Sequence, residues 1–299
     1  MGKLTGQTDG KLHIVVDLEK CVGCYNCMVA CKDEHVGNNW LPYTDAQQKH
    51  EQKWISPEKH ERGTAPFTDM VFVTKLCQHC GDAPCEKAAP DAIIRRSDGI
   101  VLLDAQKAKG NKELIHACPY GSISWNEELR TVQKCTMCAH LLDEGWSEPR
   151  CVQACPLRAL SVVFCDDNEF KKTVKKQKLQ PLTDGKNNPR VMYKNLYRLD
   201  TCFVAGALAY RDNEETNAAV KNVPVEKAAA DADVKLMQNG KLIAEVKTDF
   251  FGEFKIDRIP KNSGAYELYF SLSGHKAINR EVTIGQESPC LEVMLFEKN

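Results

Sequence analysis

The 299-residue sequence has no long apolar run. Its longest apolar stretch, Cys202 to Tyr210, falls well short of the roughly 18 residues that suggest a membrane helix, so no direct membrane span is expected. Charge of either sign is not in surplus: 40 basic residues stand against 41 acidic ones, for a net charge of −1. That balance argues against a nucleic-acid partner, whose phosphates call for a basic excess. The opening MGKLTGQTDGKLHIVVD places no apolar run after its basic residues. No secretory signal is expected there, and the expected location is cytoplasmic. No nucleophile–base pair, phosphate-binding glycine loop or set of convergent carboxylates stands out, so no catalytic residue is expected in this chain. With 42% hydrophobic and 27% charged residues, the composition is that of an ordinary globular protein able to bury a core. The length suits two domains.

Cysteine is the abnormal number. There are 15, and all but Cys165, Cys202 and Cys290 fall between Cys21 and Cys155. A secreted disulfide scaffold is short and carries a signal, and neither holds here. Cysteines crowded at such short spacings point instead to metal. Cys21, Cys24, Cys27 and Cys31 form C-x2-C-x2-C-x3-C. In bacterial two-cluster ferredoxins the first three cysteines of this run hold one 4Fe–4S cube and the fourth reaches the neighbouring cube. A tight loop presents three thiolates to three corners, and the fourth corner is met from elsewhere in the fold. Zinc is the competing reading, but its tetrahedral sites are usually built from two separated C-x2-C pairs. Cys77, Cys80 and Cys85 follow, then Cys118 alone, then Cys135, Cys138, Cys151 and Cys155. An internal repeat sorts them. Ala89-Pro-Asp-Ala-Ile, Cys118-Pro-Tyr-Gly-Ser-Ile and Cys155-Pro-Leu-Arg-Ala-Leu share a Cys-Pro-x-x-small-aliphatic pattern, with Ala89 where a cysteine is expected. A hairpin is expected after the first copy, from Ile93-Ile94-Arg95 through Ser97-Asp98-Gly99 to Ile100–Leu103.

These motifs resemble the four-motif iron–sulfur electron-transfer subunits of the dimethyl sulfoxide reductase family of molybdenum or tungsten enzymes. The resemblance implies that outer motifs pair with each other and inner motifs with each other. Carried over residue by residue, Cys21, Cys24, Cys27 and Cys155 hold one cube, Cys135, Cys138, Cys151 and Cys31 a second, and Cys77, Cys80, Cys85 and Cys118 a third. A fourth cube would need Ala89, Ala108, Asn111 and Leu114, none of which is a ligand, so one complete set is missing and three clusters are expected. The missing cube, a C-terminal β domain, and the strings Lys134-Cys-Thr-Met-Cys-Ala-His-Leu-Leu-Asp143, Tyr193-Lys-Asn-Leu-Tyr-Arg198 and Phe250-Phe-Gly-Glu-Phe-Lys255 narrow the resemblance. They resemble the polyphenol-transhydroxylating members of that family. The implied partner is a large catalytic subunit that binds molybdopterin and moves hydroxyl groups between polyphenols. Two alternatives stand beside it: a subunit of another molybdenum oxidoreductase (a phenol dehydroxylase or hydroxylase, or an arsenate or sulfur-compound reductase), and a free-standing ferredoxin-like carrier.

The expected fold is α+β: ferredoxin-like 4Fe–4S modules in two pseudo-symmetric pairs over residues 1–165, a connecting segment at 166–199, and an antiparallel β sandwich or barrel at 200–299. The connecting segment carries Lys171, Lys172, Lys175, Lys176 and Lys178, read as a solvated face on a surface connection. In the last domain, Val234/Leu236, Leu242/Ala244/Val246, Phe254/Ile256, Tyr266/Leu268/Phe270/Leu272 and Leu291/Val293/Leu295 each mark one face of a strand. Asn239-Gly240 marks a hairpin. His79 and His140 are read as neighbours of the clusters rather than ligands. Trp40, Trp54, Trp125 and Trp146 are read as packing residues, and Cys165, Cys202 and Cys290 as small apolar ones. The leader to about Gly10 is expected to fray.

Overall fold

The computed structural model describes residues 10–216 and 224–299, so the leader expected to fray lies almost wholly outside the described residues. The chain forms two compact units, Met1–His60 with Val71–Leu196, and Glu61–Met70 with Tyr197–Asn299.

The first unit is organised by the strand Lys11–Asp17, whose near-continuous apolar reading suits a strand covered on both faces. It is central in a three-stranded sheet, antiparallel to Leu160–Cys165 and parallel to Val191–Lys194. The repeat seen in the sequence has a structural counterpart. Each copy leads into a strand beginning at Ile93, Ile123 or Leu160. The first two close as local hairpins, Ile93–Arg95 with Val101–Leu103 and Ile123–Asn126 with Thr131–Lys134. The third pairs with the strand at the start of the chain, tying the last cysteine motif to the first.

The stretch 166–199 is more than a surface connection. Asp166 caps a helix, Asp167–Gln177, by accepting from the amides of Asn168 (2.7 Å) and Glu169 (2.9 Å). The lysines of that helix are exposed, while Phe170 is buried. The apolar run Val191-Met192-Tyr193 is buried and supplies the edge strand of the central sheet. A short apolar run between turns was enough to make a strand, and its burial builds this part of the stretch into the first unit.

The second unit is mostly strand. One four-stranded sheet runs Pro224–Ala228, Thr201–Thr216, Glu253–Pro260, with Met294–Phe296 parallel to the long strand; the other runs Lys241–Lys247, Asp233–Gln238, Gly264–Ser271, Ile278–Ile284. Val204, Leu208, Phe254 and Ile256 of the first and Val234, Leu236, Leu268 and Phe270 of the second share one core. Among the described strands of this unit the pairings are antiparallel except that of Met294–Phe296, with a further isolated parallel bridge between Ala205 and Cys290, and these strands do not close into a barrel. Asn239 and Gly240 take φ of 50° and 74°, as the tight hairpin turn requires.

Two face assignments need correction. In the last strand the buried residues are Met294 and Phe296, whereas Val293 is exposed. The strand is set by its parallel pairing of Met294 with Leu208 and Phe296 with Tyr210, and a one-residue offset turns every side chain over. Leu242 is also exposed, because a register shift between Leu236 and Met237 sets Leu242 opposite Met237 instead of continuing the Ala244/Val246 face. Among the described residues no helix is long and apolar enough to cross a membrane.

Candidate metal centres

None of the fifteen cysteines is in a disulfide. The twelve from Cys21 to Cys155 all lie in the first unit; Cys27 and Cys31 are on the helix Asn26–His35, Cys85 on Pro84–Ala88 and Cys151 on Arg150–Gln153, and the rest are on the turns and loops around them. In the first motif Gly23 and Tyr25 take φ of 66° and 60°; in the second, His79 takes 42°; in the fourth, Met137 and Cys138 take 51° and 50°. Left-handed residues within these motifs bend the chain between successive cysteines. A Cβ on Gly23 would stand 2.3 Å from the Phe72 ring, so glycine is required there on two counts.

Cys21, Cys24, Cys27 and Cys155 line one cavity, with Thr74 and Leu160 among its other walls. Burial, then the charges of Cys21, Cys155 and Cys24, push the Cys27 thiol up to about 12. Cys31 is raised by burial and then by Cys135 and Cys138. Cys151 is raised by burial and then by Cys138, Cys135 and Cys31. Burial and then Cys77, Cys118 and Cys85 push Cys80 up to about 12. The thiols thus fall into three neighbourhoods, with Cys27 also acting on Cys31 and Cys151 and so linking the first to the second. Cys135, pushed up to about 11 by burial and then by Cys77, is the point at which the second and third neighbourhoods meet.

Buried thiols crowded in this way do not ionise on their own. A bound cation reverses that logic and deprotonates a coordinating thiol outright. Among the described residues no three His, Cys, Asp or Glu side chains converge as a single ion would need. Cys21, Cys24, Cys27 and Cys155, lining one cavity, are an all-thiol set of four that fits a cluster. Donors to sulfur are in place as well. The amides of Ser122 and Ala159 lie 3.4 and 3.2 Å from Cys118 and Cys155 Sγ, each four residues beyond its cysteine. The repeated Cys-Pro turn therefore delivers an N–H to its own cysteine sulfur. The Met137 amide donates to Cys135 Sγ at 3.3 Å, and Thr74 Oγ1 lies 3.7 Å from Cys21 Sγ.

The histidines stand beside the thiols. The Val101 amide donates to His79 Nδ1 at 3.1 Å, so the neutral ring carries its proton on Nε2. That buried Nε2 and the Thr136 hydroxyl have no partner among the described residues; one lies between Cys77 and Cys80, the other between Cys135 and Cys138. Cube sulfides would accept such donors. His140 Nε2 lies 3.0 Å from Glu34 Oε1, and its ring stacks on Trp40. His35 Nε2, which no spacing in the sequence singles out, lies 3.8 Å from Cys138 Sγ. Trp54 is buried beside His35, Trp125 is partly buried, and Trp146 is largely exposed. Cys165 and Cys202 pack in apolar cores, and Cys290 Sγ donates to the Phe67 carbonyl at 3.4 Å.

Ala89, Ala108 and Leu114 pack into an apolar cluster with Ile93, Val101 and Val132, adjoining Cys85 and Cys118. Hydrocarbon therefore surrounds Ala89, Ala108 and Leu114. Lys134 is a further residue that sequence reasoning missed: it is buried at the end of the strand Thr131–Lys134. Its only signal in the sequence is a lysine set directly before a Cys-x2-Cys pair.

Thiol-lined loops of this kind, joined by repeated Cys-Pro turns and short hairpins, define a ferredoxin-type iron–sulfur protein, and residues 68–164 match the family described as a 4Fe-4S dicluster domain. The chain is 39% identical to the pyrogallol hydroxytransferase small subunit of Pelobacter acidigallici, over 92% of this chain and 96% of that one. It is 28% identical to the arsenate respiratory reductase iron-sulfur subunit ArrB of Shewanella sp. strain ANA-3, over 64% of this chain and all of that one. It is 27% identical to the thiosulfate reductase electron transfer subunit PhsB of Salmonella typhi, over 60% of this chain and 88% of that one. The chain belongs to the family of the pyrogallol hydroxytransferase small subunit, within the iron–sulfur subunits related to the dimethyl sulfoxide reductase enzymes. Its relatives are iron–sulfur electron-transfer subunits of molybdoenzymes.

Proposed function

We propose that this chain is the electron-transfer subunit of a polyphenol transhydroxylase, carrying three 4Fe–4S clusters beside a large subunit that binds molybdopterin. The observation that carries this reading is the 39% identity to a pyrogallol hydroxytransferase small subunit along 92% of the chain. The ligand sets are Cys21, Cys24, Cys27 and Cys155; Cys135, Cys138, Cys151 and Cys31; and Cys77, Cys80, Cys85 and Cys118. The three thiol neighbourhoods support that grouping, and the apolar cluster around Ala108 and Leu114 supports the absence of a fourth. The modules form two pseudo-symmetric pairs in which one member has lost its cube. The iron–sulfur domain is taken as residues 1–165, followed by the connection to 199 and the β domain from 200, and the complex works in the cytoplasm.

Each cluster supplies one-electron transfer at a potential set by burial, hydrogen bonds to sulfur and net charge. The chain's own residues do the rest. Twelve thiolates hold the metal, and the amides of Ser122, Met137 and Ala159 donate to three of them. The exposed Cys24, flanked by exposed Val22 and Leu157, brings the first site to the surface where electrons can leave. Moving an aromatic hydroxyl needs a centre that changes oxidation state, and the clusters hold or relay those electrons beside it.

The test is an anaerobic assay of the chain co-purified with its large subunit against pyrogallol, resorcinol, catechol, arsenate and dimethyl sulfoxide. Hydroxyl transfer on the phenols is expected, with no turnover by the small chain alone. Activity confined to arsenate or dimethyl sulfoxide removes the phenol reading.

A further inference from the structure

Lys134 is 3% exposed. Its ammonium donates to the Val101 carbonyl, to the Cys135 carbonyl at 3.1 Å and to Cys77 Sγ at 3.5 Å. Those three acceptors use all three of its protons. Among the described residues no carboxylate forms an ion pair with it, and burying a lone cation is strongly unfavourable without a negative charge close by. The negative charge at hand is sulfur. Cys77 belongs to one proposed ligand set and Cys135, the residue after Lys134, to another; the ammonium contacts the sulfur of Cys77 and the backbone carbonyl of Cys135. The backbone leaves it little freedom, since Thr131 to Lys134 are all buried in a hairpin.

We propose that Lys134 is a fixed cation shared by the second and third cluster sites, which raises the reduction potentials of both and leaves the first untouched. The inference rests on the proposed ligand sets. An electron arriving at a cube adds one negative charge, and a buried ammonium close by favours that state because little solvent screens it. One side chain placed between two sites moves both potentials together. The difference between them therefore stays nearly unchanged while the pair shifts against the first site. Lys134 is a positioning and potential-setting residue, since it contacts a ligand sulfur and exchanges no electron itself.

The test is an anaerobic redox titration of the full chain, followed by electron paramagnetic resonance, for the wild type, Lys134→Met and Lys134→Gln. Cys24→Ser marks the signal of the first site. In the neutral variants two of the three midpoint potentials should fall by at least the equivalent of a tenfold change in the reduced-to-oxidised ratio, about 59 mV for one electron. The potential marked by Cys24 should move by less than a twofold change. Iron is measured in parallel. A wild-type content away from three cubes overturns the ligand sets, whereas intact iron with unshifted potentials, or with a shift at one site only, overturns the role of Lys134. If a neutral variant loses one of the two cubes, the potential of its neighbour must still fall, and an unchanged neighbour also overturns the proposal.

Discussion

Replacing Gly23 with alanine tests how the first site is built. Gly23 lies between Cys21 and Cys24 with φ +66°, and an added Cβ would stand 2.3 Å from Cε1 and 2.5 Å from Cδ1 of Phe72. Two costs follow. Holding a non-glycine residue in the left-handed region costs about 1–2 kcal/mol, and forcing a methyl against a packed ring costs about 1–3 kcal/mol. Their sum, about 2–5 kcal/mol, is concentrated on the loop that carries three of the four proposed ligands. Gly23→Ala should therefore lose the first cube while keeping the other two, so that iron per chain falls by about four atoms, one cube's worth. The double variant Gly23→Ala/Phe72→Ala removes the clash but leaves the backbone cost, so it should recover part of the iron. The assay is iron and acid-labile sulfide per chain after anaerobic purification, with electron paramagnetic resonance to show which signal is lost. Full iron in Gly23→Ala, or loss spread evenly over all three sites, would refute the reasoning.

Two further changes probe other parts of the chain. Ala89→Cys should add no iron, because Ala108 and Leu114 still fill the neighbouring space with hydrocarbon and three of four thiolates remain missing; a gain of about four iron atoms, one cube's worth, would contradict this. Asp143 accepts from both terminal nitrogens of Arg96 at 2.9 and 2.7 Å and from Tyr43 at 2.6 Å, and the Arg96 hydrogen bonds hold its carboxyl below the ordinary value of 3.8. Its contribution is therefore full above that value and is lost as the pH falls through the lowered one. Asp143→Asn should lower thermal stability by about 1–3 kcal/mol across pH 5–7, with the gap to wild type narrowing only below about pH 4. A gap that already closes between pH 7 and 5 would refute the assignment.

The cysteine motifs were legible in the sequence because ligand spacing is a local property of tight loops. The hairpin after Ala89 and the Asn239-Gly240 turn were legible for the same reason, since turn chemistry is written in adjacent residues. What failed depended on distant partners. The face of Met294–Phe296 is set by parallel pairing with Leu208–Tyr210, and period-two alternation cannot say which of two faces meets the core. Leu242 was misplaced by a register shift that leaves no mark in composition. Val191–Lys194 hid in a polar stretch because four residues are too few to show a period, and only pairing with Lys11–Asp17 makes them a strand. Lys134 and His35 escaped notice because a lysine or histidine near cysteines is ordinary in sequence. Its meaning appears when burial and a sulfur contact are seen together.

Quantifying iron, sulfide and zinc in the anaerobically purified full chain tests the three-cluster assignment most directly. The ligand count predicts about twelve iron atoms and as many sulfides per chain, four of each for every cube, with no stoichiometric zinc. Iron near sixteen would mean that a fourth cube is held without Ala89, Ala108, Asn111 or Leu114, and bound zinc would mean that the cysteine sets serve single ions; either result contradicts the account.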